Sequence, residues 1–133
     1  MYWKYSVGFL IASLVQAGII MGSEFLGISN LGAKLVFGQL IIHVLVGQAA
    51  GFLLMVILQN MQGVAKAGFW LIGIIYGAVI WAILIPINAA QGTINAPWIV
   101  GVSTIIASMV AFMTYGIISS YTIKIFEKES IRV

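Results

Sequence analysis

The chain has 133 residues, of which 62% are hydrophobic and 7% charged, against about 45–50% and about 25% in soluble domains. A water-soluble fold of this size could not hide so much apolar surface, so the composition excludes a soluble globule and predicts one domain whose solvent is the lipid bilayer. The net charge of +3 is scattered at the ends of apolar runs, which gives no reason to expect a nucleic-acid partner. The absence of cysteine excludes disulfides, thiolate metal sites and cysteine nucleophiles.

Four apolar runs follow one another, over Tyr5 to Leu26, Leu35 to Leu58, Gly68 to Ala89 and Pro97 to Ile123. Each reaches the roughly 20 residues that span a hydrocarbon core as a helix, and none alternates polar with apolar residues as a spanning strand would. The fold class expected is therefore all-α, a polytopic four-transmembrane-helix bundle. The first run carries a single basic residue before it, Lys4, and is longer than a signal-peptide core of about 7–15 residues, so it reads as a retained helix. The connections Gly27–Lys34, Gln59–Ala67 and Ala90–Ala96 are short and contain turn-forming Gly, Asn or Gln. Pro97 marks the first turn of the fourth helix, where a missing N–H costs nothing. Residues 124–133 form a polar tail, read as the last helix continuing into water.

Lysine and arginine near the helix ends set the orientation. Lys4, Lys66, Lys124, Lys128 and Arg132 share one side of the bundle and only Lys34 falls on the other, which predicts both termini in the cytoplasm. Tyr2, Trp3, Tyr5, Trp70 and Tyr121 are expected at the inner interface and Trp98 at the outer one.

Helices in lipid associate by close backbone approach and by side-chain hydrogen bonds, so small and polar residues at helical spacing mark expected packing faces. The first helix offers Gly18 and Gly22, a GxxxG pair. The second repeats Gln39, His43, Gly47 and Gly51. The third carries Gly73, Tyr76, Gly77, Leu84, Asn88 and Gln91, and the fourth Gly101, Thr104, Ser108, Phe112, Tyr115 and Ser119. The competing reading of these stripes is that one of them lines a polar path.

Glu24 and His43 are the ionisable residues placed at or near membrane depth, where such groups are functional candidates by default. Together with Gln39 and Asn88 they make a candidate ligand- or ion-binding set in the outer half of the bundle. Glu24 and His43 are expected to hydrogen-bond to each other there; the alternative places Glu24 at the interface and His43 as a satisfied neutral imidazole. Gln16 and Gln48 sit near mid-membrane and read as interhelical glue. Pro86 frees a carbonyl one turn earlier and is expected to kink the third helix.

No catalytic arrangement is legible. The chain has no aspartate, a single histidine cannot supply two haem ligands, and the glycines lie inside helices rather than in a phosphate-binding loop. Neither an enzyme nor a cofactor or metal site is expected.

Gly73, Tyr76, Gly77, Ala78 and Trp81, with Pro86 following, give the pattern G-x-x-Y-G-A-x-x-W-x-x-x-x-P. The next helix carries Ser103-Thr104-Ile105 and then Tyr115-Gly116, with Tyr121 five residues on. Over roughly the C-terminal half this resembles the YqhR-type membrane proteins of spore-forming Firmicutes. The resemblance implies a four-helix bundle in a bacterial cytoplasmic membrane, and it implies no substrate and no catalytic residue. Small multidrug transporters also pair four helices with one membrane glutamate, but theirs lies mid-helix and Glu24 lies near a helix end. The function expected is that of a structural or accessory subunit, or a homo-oligomeric membrane component. The alternative is a small oligomeric transporter or channel for a proton, cation or small polar ligand.

Overall fold

In the computed structural model, which describes residues 2–32, 37–61, 66 and 68–131, the four apolar runs form four long helices and no strand. They are α1 (Tyr2–Phe25), α2 (Phe37–Asn60), α3 (Phe69–Ala90) and α5 (Val102–Ile131), with a single turn, α4 (Pro97–Val100), before the last. Each long helix is long and apolar enough to cross a membrane. The Tyr5 and Phe126 rings meet edge to face at 5.9 Å, which brings the two chain ends together at one end of the bundle. The 27–32 and 91–96 connections meet at the far end.

Two features differ from the sequence reading by more than a residue or two at a helix end. The first helix starts at Tyr2 rather than Tyr5, because the amphipathic rings there continue the helix. The fourth run is broken at Gly101, whose φ of +150° is open to glycine and strained for other residues, so α4 is a separate turn. Beyond it α5 runs to Ile131, the last helix extending into the polar 124–131 segment. Lys34 and Arg132, two of the residues used for orientation, lie outside the described residues, as do the Lys128 side chain and the expected helix start at Leu35.

Both far-end helix termini close in the same way. Gly27 (φ +76°) and Gly92 (φ +77°) adopt the left-handed conformation. The turns are locked by Ile28 N–H to the Ser23 carbonyl at 2.9 Å and Thr93 N–H to the Asn88 carbonyl at 3.1 Å, the Schellman arrangement that satisfies orphaned carbonyls. The two connections are then tied together. Asn95 N–H donates to the Leu31 carbonyl at 2.7 Å, and Asn95 Nδ2 to the Asn30 carbonyl at 3.1 Å. Asn30 N–H in turn donates to Thr104 Oγ1 on α5 at 3.1 Å.

The centre of the bundle is α5, which packs along both α1 and α3, while α2 leans on α1 and touches α5 along one edge. In the most apolar stretch of each helix 44% of residues are buried on α5, but only 28% on α2 and on α3. Two apolar clusters fill the interior. Phe9, Leu54, Tyr76, Tyr115 and Ile123 belong to the one nearer the termini, and Ile20, Leu31, Ile85, Ala111 and Phe112 form the far-end one.

Glycine decides the closest contact. A Cβ on Gly73 would overlap the Ile117 backbone, one on Gly77 the Phe112 carbonyl, and one on Gly116 the Gly73 carbonyl. On α2, Gly47 receives Ser13 and Gly51 the Phe9 ring. Gly18 and Gly22 do not behave this way. Both are exposed, with nothing within 4 Å of where a Cβ would stand, so within the chain they form no packing face. Their spacing is that of Gly47 and Gly51, but the helical rotation turns them outward.

Pro86 is exposed, and α3 continues through it to Ala90. Tyr5 is buried, its ring edge-on to Phe126.

Candidate functional site

A groove of about 460 Å³ separates α2 from α3, walled behind by α1 and α5. Its back carries Gln16 and Ile20 from α1 and Phe112 and Tyr115 from α5. His43 and Val46 line it from α2, Ile80 and Leu84 from α3, and Gly32, Gln39, Asn88 and Thr93 stand at its far-end rim. The groove opens because α2 packs mainly on α1, and α3 on α5. Its floor toward the termini is closed by two tyrosines. Tyr115 donates its hydroxyl to the Gly47 carbonyl, and Tyr76 donates to the Ala50 carbonyl at 2.6 Å.

The expected site residues are divided between two places. His43, Gln39 and Asn88 line the groove; Glu24 does not. The Glu24 carboxylate accepts the Gly32 N–H at 2.8 Å and so belongs to the far-end loop closure. His43 Nε2 stands 2.9 Å from the Ser13 carbonyl. Since a carbonyl only accepts, Nε2 carries the proton in this contact, and in the neutral ring Nδ1 is an acceptor. Glu24 and His43 are therefore not hydrogen-bonded to each other. The reason is local: Glu24 is the second-last residue of α1, and the reversing chain offers it a backbone donor first. Asn88 is also engaged, with Nδ2 donating to the Leu84 carbonyl at 2.8 Å and Oδ1 accepting from Thr93 Oγ1 at 3.0 Å. Gln39 is exposed at the rim.

The two mid-helix glutamines part company. Gln48 is clipped to α1 twice, accepting from Ser6 Oγ at 2.8 Å and donating Nε2 to the Ser6 carbonyl at 2.8 Å. Gln16 is only 5% exposed, lines the groove, and makes no hydrogen bond among the described residues. It is not interhelical glue within the chain. Nothing in its spacing distinguishes it from Gln48; what differs is the neighbour, Ser6 in one case and open space in the other.

Other polar groups in the bundle are paired. Trp81 Nε1 donates to Ser108 Oγ at 2.9 Å, and Ser108 donates to the Thr104 carbonyl at 2.8 Å. Ser120 Oγ donates to the Phe69 carbonyl at 2.7 Å. The Ser13 and Ser119 hydroxyls have no partner, but both are sealed between helices. Among the described residues no acid, lysine or arginine side chain lines the groove, and no group of three His, Cys, Asp or Glu stands close enough to hold a metal.

Among the described residues lining the groove, no nucleophile is hydrogen-bonded to a base. No family model matches the chain, and no characterised protein or solved structure matches it either.

Proposed function

We propose that the protein is a multi-spanning component of a bacterial cytoplasmic membrane, with both termini in the cytoplasm. In this reading it works without catalysis, as an accessory subunit of a larger membrane complex or as a homo-oligomer. The orientation rests on the five-to-one distribution of basic residues, and the bacterial membrane on the resemblance to the YqhR-type proteins.

The observation that carries the subunit reading is the outward notch at Gly18 and Gly22. Gly47, Gly51, Gly73, Gly77 and Gly116 each receive a neighbour, whereas these two face out of the bundle among exposed Leu14, Val15 and Met21. Lipid-facing positions need no glycine, and glycine in a helix costs about 1 kcal/mol relative to alanine. A second backbone brought close at this notch would supply the packing that such a pair favours.

The chain has no cysteine, so Gly22→Cys is a single reporter. Oxidation in native membranes is expected to give a disulfide-linked dimer, or gentle extraction into nanodiscs a stoichiometric second protein. A monomeric native mass with no cross-link and no partner would end this reading.

The transporter alternative draws on the groove beside His43. It must do without the Glu24 carboxylate, which is committed to Gly32, and so loses its charged partner for a proton or cation.

A further inference from the structure

We propose that the groove between α2 and α3 is a binding site for one uncharged amphiphile. Its hydroxyl or amide head would hydrogen-bond to the Gln16 amide, and its apolar body would lie along Ile20, Ile42, Val46, Ile80, Leu84 and Phe112. This goes beyond the subunit reading and does not depend on it.

Three observations converge. The first is the Gln16 amide itself, nineteen-twentieths buried by its 5% exposure, open to the groove and without a partner among the described residues. A buried amide lacking hydrogen bonds is a feature that a native structure has to explain. Ser13 and Ser119 also lack partners, but their oxygens are inaccessible, so only at Gln16 does the missing partner have somewhere to come from.

The second observation is size and lining. About 460 Å³ is within the range of about 300–1,000 Å³ usual for small-molecule sites. An ordered water needs two to four polar partners. Beyond Gln16, His43, Tyr115 and the rim groups the walls are aliphatic and aromatic, so most of the space suits hydrocarbon better than water. The groove also cannot simply shut. On one side α3 is interlocked with α5 through Gly73, Gly77 and Gly116, and on the other His43 and Gln48 tie α2 to α1.

The third observation is charge. No lysine, arginine or carboxylate among the described residues lines the groove. An ion brought there would lose its hydration without gaining a lysine, arginine or carboxylate counter-charge among the described residues, which favours an uncharged head over a carboxylate or ammonium. The available groups set the head's chemistry. The Gln16 amide offers two N–H donors and a carbonyl acceptor. His43 Nδ1 adds an acceptor from α2, since its Nε2 is given to the Ser13 carbonyl one turn from Gln16. A group that both donates and accepts without charge, namely a hydroxyl or a primary amide, satisfies that set. A hydrocarbon leaves it unsatisfied.

The test uses the full chain in nanodiscs and a photoreactive probe, an eight-carbon primary alcohol carrying an aliphatic diazirine. The matched carboxylate and matched hydrocarbon serve as controls. Expected is saturable labelling mapped to the α2 segment around Ile42 and Val46 and the α3 segment around Ile80 and Leu84, displaced by excess octanol and weaker for both controls. Gln16→Leu keeps the volume and removes the amide, and should weaken saturation by about tenfold. Ile80→Trp fills the groove from the other wall and should abolish labelling, so the test survives if one variant fails to fold. Displacement by monooctanoylglycerol and not by hexanamide would point to a bilayer lipid as the natural source, and the reverse to a water-borne compound. Labelling that does not saturate, equal labelling by alcohol, acid and hydrocarbon, or unchanged labelling of both variants would overturn the proposal. Absence of labelling would do the same, since the groove would then hold water or a second copy of the chain.

Discussion

The seam between α3 and α5 and the seam between α1 and α2 join helices of similar length and apolarity by different means. In the first, glycine backbones touch: Gly73 and Gly77 lie directly on the Phe112–Ile117 segment, and Gly116 returns the contact. In the second, side chains reach across, with Gln48 on Ser6 and His43 on Ser13. Tyr115 and Tyr76 then hold α2 from α5 and α3. Close backbone packing is steep and unforgiving, because a methyl group has nowhere to go. Hydrogen bonds between membrane helices are individually weak, averaging about 0.6 kcal/mol, and each can be removed without displacing a helix. The contrast explains where the open space lies. The rigid seam fixes one wall of the groove, and the clipped helix α2 forms the other.

The largest effect that could break this contrast is expected at Gly77. Gly77→Leu would drive a side chain into the Phe112 carbonyl and the Met113 backbone, and should destabilise the bundle by about 3 kcal/mol or prevent its folding. Gly18→Leu, with nothing within 4 Å, should change the stability of the monomer by less than about 0.5 kcal/mol. Both are measurable by denaturing-detergent titration followed by circular dichroism. Equal losses at the two glycines would mean that spacing rather than contact sets the cost. If Gly18→Leu also abolishes association at unchanged monomer stability, the outward notch is an interface.

Tyr115→Phe comes next. It removes the donor to the Gly47 carbonyl while keeping the ring in the core, and should cost about 1 kcal/mol. Hydrogen exchange of α2 amides should rise more than that of α3 amides, because α2 loses one of its few ties and α3 keeps its glycine seam. Uniform acceleration in both helices would show that the bundle opens as one unit.

How much of this was legible in the sequence differs by level. The four helices were, because unbroken apolar runs of this length have one stable form in lipid. Gly47, Gly51, Gly73, Gly77 and Tyr115 meet neighbouring helices, and each lies on a face with other small or polar residues. Gly18 and Gly22 have the same spacing and the opposite fate. Periodicity says which residues share a face, but not which faces meet inside one chain. The break at Gly101 was hidden for a similar reason: a glycine within an apolar run is compatible with a helix, and only the φ of +150° marks it as a stop. The candidate site was half legible. His43, Gln39 and Asn88 do line one groove, but the pairing of His43 with Glu24 required knowing that the chain reverses tightly enough for Gly32 to reach the carboxylate. Gln16 is expected from its position near mid-membrane to be interhelical glue. Its lack of a partner depends on the register between helices, which no single helix encodes.

The smallest expected effect is also the sharpest discriminator, because it compares two identical side chains on opposite sides of the same seam. Gln48→Leu removes both hydrogen bonds to Ser6 and leaves a half-buried serine hydroxyl to find another acceptor, so a loss of about 0.6–1 kcal/mol is expected. Gln16→Leu removes an amide that has no bond to lose and replaces it with an apolar side chain against Ile20 and Phe112. In the absence of added ligand it should be neutral or slightly stabilising, within about 0.5 kcal/mol. The two variants should therefore separate in the same denaturing-detergent titration despite their identical chemistry. If Gln16→Leu proves as costly as Gln48→Leu in delipidated protein, the Gln16 amide is already paired inside the chain, and the groove loses the polar anchor that distinguishes it from a gap between helices.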